Sequence, residues 1–280
     1  MRGEKPKQVC EFLWEQGEED MGPTVLYSLM AKLLPRPPVA ALRDDVRTKI
    51  ILDHPELFKI TFLIDDNTFE NMLADHPNQP FIQSVLVGIH KGFWPFADTT
   101  KDRYPKTWDR SSRPLKTDDK RNFLTSQVQI EVKVGRFSPS FGTNLLPGMY
   151  SPLVHVVPKP DLDTLCLVVN HSTGDNNLNS MIACEDVSGV HLNGICLLGA
   201  SIIHTKDLNP CANLIIYKSD ILAAYRQLLM HPLYQILQII TIDGQWYVDR
   251  CNNFSGRASQ IIWQSFTSLI VWILVFKHGL

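Results

Sequence analysis

Apolar residues recur at helical spacing in Val9-Cys10-Phe12-Leu13 and again in Val25-Leu26-Leu29-Met30-Leu33-Leu34, where Pro35-Arg36-Pro37-Pro38 stops the run. The same period predicts a helix over Pro80 to Ile89 and another over Asn122 to Val134, with Pro105 to Lys120 between them as a linker. Further along, the period shortens. Ala212-Asn213-Leu214-Ile215-Ile216-Tyr217 is short, β-branched and preceded by Asn209-Pro210, which predicts a strand breaking at Ser219-Asp220. Tyr234 to Ile242 and Gln245 to Arg250 flank Asp243-Gly244, a hairpin signature with a type I′ turn. A polar, glycine-containing loop over Asn252 to Gln260 then opens a helix from Ile261 to Phe276.

Chemistry enters with Lys218-Ser219-Asp220-Ile221-Leu222-Ala223-Ala224-Tyr225-Arg226. A carboxylate at the end of a buried strand suits magnesium, a hard cation that takes oxygen ligands and leaves positions open for substrate phosphates. Asp is also a favoured N-cap, so Asp220 equally suits the start of a short helix from Ile221 to Leu229 with Tyr225 in the core. Nine residues do not separate the two.

The order of strand, Asp, hairpin, glycine loop and long helix resembles the reverse transcriptase domain of retroelements, most closely the kind carried by tyrosine-recombinase retroelements and their fungal relatives. The resemblance spans Pro80 to the C-terminus. Lys218, Asp220, Ala224, Tyr225, Arg226, His231 and Pro232 match the family's first palm motif. The resemblance implies that Asp220 is the catalytic residue that ligates the magnesium pair and that Tyr225 is the steric gate against a ribose 2′-hydroxyl. It also implies nucleotide contacts from Lys159, Arg226, Phe254 and Gly256. Upstream, Leu146 to Pro160 with Leu165 to Ser172 looks like the family's fingers hairpin, closed by Leu178-Asn179. The implied fold is α+β: fingers and partial palm of a right-hand polymerase behind an N-terminal helical segment. Domains are expected at 1–104 (helical), 105–122 (linker), 123–210 (fingers-like) and 211–280 (partial palm).

Departures from the family pattern matter as much. Cys166 stands where members carry an arginine that grips the triphosphate, and a thiol offers no positive fork. Asn170 replaces an Asp, and Ser255 sits where the loop usually has Gly; a positive φ there would cost Ser255 about 1 kcal/mol. Two-metal phosphoryl transfer needs carboxylates around ions roughly 3.5–4 Å apart, which the family completes with a Tyr-x-Asp-Asp hairpin. Asp44-Asp45, Asp65-Asp66 and Asp118-Asp119 all precede Asp220, and no Tyr-x-Asp-Asp occurs before Leu280. A truncated, inactive polymerase relative is therefore expected, with RNA/DNA template-primer as partner by resemblance. The other reading is a nucleic-acid-binding or protein-interaction module that keeps only the fingers surface.

Composition adds bounds. With 280 residues, 44% apolar and 20% charged, the chain is globular and long enough for one sizeable core. A formal net charge of −2 is unlike a whole-chain nucleic-acid binder. Basic residues gather between Lys91 and Arg121, but Asp98, Asp102, Asp109, Asp118 and Asp119 interleave them, so a solvated surface and a nucleic-acid contact both fit. Gly92-Phe93-Trp94-Pro95-Phe96-Ala97 is an aromatic turn for packing or for base stacking. Six cysteines without C-x-x-C read as reduced thiols, and no apolar segment follows the basic N-terminus, which points to an intracellular protein, nuclear or cytoplasmic. His54, His76 and His231 each precede Pro as turn elements, and no hydrolase motif occurs. The helix over 261–276 falls short of a membrane span, so no membrane is expected, but its apolar face calls for an oligomer or a partner to cover it.

Overall fold

The computed structural model describes residues 24–61, 64–111, 117–159, 164–188, 195–211, 213–215 and 220–278. The periodicity over Val9 to Leu13 lies outside them. Helices α1 (Thr24–Met30), α2 (Val39–Leu42), α3 (Asp45–Asp53), α4 (Asp66–Met72) and α5 (Gln79–Lys91) come first. Their starts follow from capping: Asp44, Asp65 and Asn78 each accept a backbone N–H three residues on, from Arg47, Thr68 and Phe81. Helix α1 ends at Met30, before the predicted Leu34, because Leu34 leaves the helical path to donate its N–H to Ser84 Oγ at 3.0 Å ahead of Pro35.

Regular structure occurs within the expected linker, of which 112–116 lie outside the described residues. Strand β1 (Trp108–Asp109) lies inside it, and Thr117 caps α6 (Asp118–Lys133), which starts earlier than predicted. β1 pairs in parallel with β2 (Tyr150–Ser151), Trp108 opposite Tyr150. β3 (Leu153–Pro158) and β4 (Leu165–Asn170) form an antiparallel hairpin with Val156 opposite Leu167. Helix α7 (Ile195–Leu208) follows, then the short α8 (Pro232–Gln235). β5 (Ile239–Ile242) and β6 (Gln245–Val248) make the second hairpin. Its turn residues Asp243 and Gly244 have φ of 50° and 74°, the two left-handed positions a type I′ turn requires. The 20-residue α9 (Ser259–His278) closes the described chain.

Mixed α+β architecture is thus present, but as three separate two-stranded sheets among the described residues. Of the strand expected over 212–217, residues 213–215 are irregular and Ile215 is 84% exposed, while 212 and 216–219 lie outside the described residues. A β-branched run needs a neighbouring strand and a covered face, and 213–215 has neither among the described residues. Helix α9 is longer than expected, enough by length and composition to cross a membrane. Half of that stretch is buried within the protein, Ile262, Phe266, Leu269 and Trp272 facing inward, while Leu274, Val275 and Phe276 are exposed at its end.

One core joins the two ends of the chain. Phe69, Phe81, Val85 and Ile89 from the first helices, with Leu34 from the segment after α1, pack with Tyr150, Trp246 and the inner face of α9. Tyr27 Oη stands 3.5 Å from Ser265 Oγ across α1 and α9, and His76 packs edge-on to Trp272 at 4.7 Å. A smaller cluster of Leu124, Val128, Phe137, Val156, Val169, Ile240 and Ile242 fills the space between α6 and the two hairpins.

Gly92 ends α5 with φ of 82°, and a Cβ built there would stand 2.4 Å from Met230 O. The close approach lets Phe93 N donate to Leu229 O at 2.9 Å and accept, through its carbonyl, from His231 N at 2.9 Å. Gly92→Ala is expected to lower stability by about 2–4 kcal/mol through strain and overlap together. A urea denaturation midpoint unchanged from wild type would show that the two backbones do not meet this way.

Candidate functional site

Residues 220–227 decide what the matched motif does in space. Ala223 holds a left-handed φ of 52°, and Ala224–Gln227 forms a single 3₁₀ turn. The turn splits neighbours: Tyr225 goes to one side, Arg226 to the other.

Tyr225 stacks obliquely on Phe254, ring centroids 4.9 Å apart, and meets Trp263 edge-on at 6.1 Å. These rings, with Ala224, Gln260 and Thr267, line an open cavity of about 390 Å³. Phe254 is 63% exposed at its mouth. Burial raises the Tyr225 hydroxyl above its ordinary value, so it is a neutral phenol. The shelf can stack a planar ring, and no cation lines it among the described residues.

Arg226 enters an ion-pair network inside the protein. Its Nη1 donates to Asp249 Oδ2 at 2.9 Å, and its Nη2 donates to Asp249 Oδ1 at 3.0 Å and to Glu131 Oε2 at 3.1 Å. Glu131 Oε1 also accepts from Arg136 Nη2 at 3.0 Å and from Gln127 Nε2 at 2.9 Å. Arg136 Nε stands 2.9 Å from Glu131 Oε2 without aiming its N–H there, a charge contact only. Asp249 is 0% exposed and accepts further bonds from Cys251 N at 3.2 Å and Asn253 Nδ2 at 2.9 Å. Burial works against the Arg226 charge, but Asp249 and Glu131 outweigh it and hold the guanidinium above its usual value. For Asp249, burial raises the carboxyl and Arg226 pulls it back. Cys251, buried beside them, is pushed up to about 12 by burial and stays a thiol. Expected at a nucleotide, Arg226 has its fork engaged internally because two buried carboxylates require it.

The glycine loop is tied down by side chains. Ser255 is not among the positive-φ residues, so the strain expected there is absent. Its hydroxyl donates to Val169 O and accepts from His171 N at 3.3 Å, tying the loop to the end of β4. Asn179 Nδ2 donates to Ser255 O at 2.8 Å, and Asn179 Oδ1 accepts from Arg257 N at 2.7 Å. A Cβ at Gly256 would meet Ser259 Oγ at 2.5 Å, which explains a glycine one position later than the family pattern. His171 lies beneath, buried, with neither ring nitrogen hydrogen-bonded. Burial and then Arg226 lower it to about 3.

The remaining predicted residues are dispersed. Lys159 is exposed at the end of the β3–β4 hairpin, its N–H bonded to Thr164 O at 2.8 Å. Asn170 Oδ1 accepts from Ser172 N at 2.9 Å, a turn role that needs no charge. Asp220 is exposed, and no group of three or more His, Cys, Asp or Glu able to hold a metal occurs among the described residues. The described donor set does not fit a two-magnesium centre, and the carboxylates Asp249 and Glu131 are committed to Arg226. Two cations between Lys91 and Arg121 are answered locally, Lys101 by Asp98 at 3.6 Å and Arg121 by Asp118 at 3.1 Å, as a solvated surface would be.

Glu131 and Asp249 are the residues sequence reasoning missed. A signal for the first existed: Leu124, Val128 and Glu131 lie on one helical face, so the charge occupies an inward position and calls for a partner.

No family model and no curated protein matches the chain. Among solved structures, the native protease–reverse transcriptase of prototype foamy virus is similar at a TM-score of 0.39 and 16% identity, over 80% of this chain and 29% of that one. The CSH mutant of the same protein gives 0.39 and 15%, over 78% and 28%. The chain therefore spans less than a third of these proteins' length, and the likeness is a weak one of fold.

Proposed function

We propose that this chain is a reverse-transcriptase-like module, ancestrally an RNA-directed DNA polymerase, that binds nucleic acid by base stacking and does not extend a primer. One observation carries the reading: Tyr225 and Phe254, contributed by the two motifs that match the family, meet 4.9 Å apart in a single open cavity. A stacking shelf is tolerant of base identity and contributes about 1–3 kcal/mol per base. The phosphate and metal end of such a site is weakened, since a thiol stands at Cys166 where members carry an arginine, Arg226 is engaged internally, and no group of three or more His, Cys, Asp or Glu able to hold a metal occurs among the described residues. Two-metal catalysis depends on carboxylates set around both ions.

The test gives the 280-residue chain a labelled RNA–DNA primer-template, four deoxynucleotides and magnesium. Binding that weakens at least several-fold in Tyr225→Ala is expected, with no extension. Extension would overturn the inactive reading. Absence of binding at low salt would remove the nucleic-acid reading.

A further inference from the structure

On the other side of the 220–227 segment lies a larger open cavity of about 570 Å³, whose charged lining is Glu56, Lys59, Lys133, Arg136, Arg226 and Arg250. Arg136 and Arg226 are balanced by Glu131 and Asp249 behind the wall, two cations against two carboxylates. Lys59, Lys133 and Arg250 remain, three cations against Glu56, which itself lies 3.6 Å from His54.

Arg250 is the telling member. It is 5% exposed and directs Nε to Leu57 O at 2.8 Å, Nη1 to Gly135 O at 3.0 Å and Nη2 to Glu56 O at 2.6 Å. Every acceptor is a neutral carbonyl. A buried guanidinium satisfied only by carbonyls keeps its full charge uncompensated, a costly arrangement unless an anion completes it. Burial accordingly lowers the Arg250 pKa, the opposite of the carboxylate-paired Arg226. The carboxyl end of α6 points toward the same cavity, but its roughly half-unit negative charge is smaller than the excess.

We infer that this cavity binds a phosphate-bearing ligand of nucleotide size, with Arg250, Lys59 and Lys133 facing its phosphates. Its volume falls in the range of small-molecule sites, and Leu222 and Leu229 in the wall give apolar surface for an uncharged portion, which a bare phosphate would not use. The two remaining N–H groups of Arg250 and the mobile lysine ammoniums supply charge-assisted donors. The site does not depend on the aromatic shelf, which is lined by Tyr225 on the far side of the same segment.

Titration calorimetry at fixed ionic strength tests it with ADP and with adenosine, which lacks the phosphates. ADP is expected to bind saturably, and adenosine about ten-fold or more weakly. Lys59→Glu with Lys133→Glu, both exposed, should weaken ADP about ten-fold or more while leaving the ligand-free denaturation midpoint in place. Tyr225→Ala should leave ADP affinity unchanged. A short single-stranded oligonucleotide that competes with ADP would identify the phosphates as those of a strand; an oligonucleotide that does not compete leaves free nucleotides as the ligand class. Equal binding of ADP and adenosine, undiminished binding by the lysine double variant, or loss of binding in Tyr225→Ala would each overturn the inference.

Discussion

Arg226→Ala is expected to cost about 3–5 kcal/mol, a large part of the 5–15 kcal/mol typical of a whole domain. The loss is not the removal of a favourable surface contact. It strands Asp249, which has no solvent access and would retain only the Cys251 N–H and the Asn253 amide. Glu131 would keep Arg136 and Gln127, so Asp249 is where most of the penalty falls. Arg226→Lys should cost less, about 1–3 kcal/mol, because one ammonium keeps the charge but cannot span both Asp249 oxygens and Glu131 together. Arg226→Ala combined with Asp249→Ala should cost clearly less than the sum of the single changes, since removing both partners leaves no orphaned charge. Urea denaturation of these three variants together with Asp249→Ala alone measures this. A destabilisation by Arg226→Ala within about 0.5 kcal/mol of zero would mean that the network is a surface-like one, and strict additivity in the double variant would mean that the two residues do not interact.

That network also marks the limit of what the amino-acid order discloses. The β5–β6 hairpin follows from a local cue, an Asp-Gly turn whose two positive φ values only a few residue types adopt, whereas the β3–β4 hairpin is expected through the motif resemblance. Helices α5 and α6 are legible for a similar reason, a cap and an apolar stripe within one short window. The run leading to Asp220 has the composition of a strand, yet its described part, 213–215, is irregular, because pairing is decided by a neighbour that composition does not specify. Glu131, Arg226 and Asp249 are far apart in the chain, and no local rule brings them together; only the misplaced charge on the α6 stripe hints that a partner exists. Tyr225 and Phe254 are the instructive middle case. Each was named from its own motif, and the fold makes them one surface, whereas Arg226, named from the same motif, turns inward one residue later.

Stability should fall steeply as pH drops from about 7 to 5, because three imidazoles are neutral in the fold. His76 Nδ1 accepts the Asn78 N–H at 3.0 Å and His231 Nδ1 accepts the Leu233 N–H at 3.2 Å; a protonated ring accepts neither. His171 is enclosed without a partner near the Arg226 charge. Burial lowers all three, His171 to about 3 and His231, helped by Lys91, to about 4. A folded pKa below the unfolded value near 6.5 means that the unfolded chain takes up protons first. The full stability is therefore present above pH 6.5 and is lost as pH falls toward the folded values. At pH 5 His171 alone accounts for about 2 kcal/mol, with a smaller, solvent-screened share from His231. Asp249 works the other way, its raised carboxyl binding a proton earlier in the fold than in the unfolded chain, but it is one group against three. Denaturation midpoints at pH 7.5 and 5.0 compare the wild type with His171→Leu. The variant, whatever its stability at pH 7.5, should lose about 2 kcal/mol less than the wild type between the two pH values. An equal loss in both proteins would show that His171 is already open to water and protons in the folded chain.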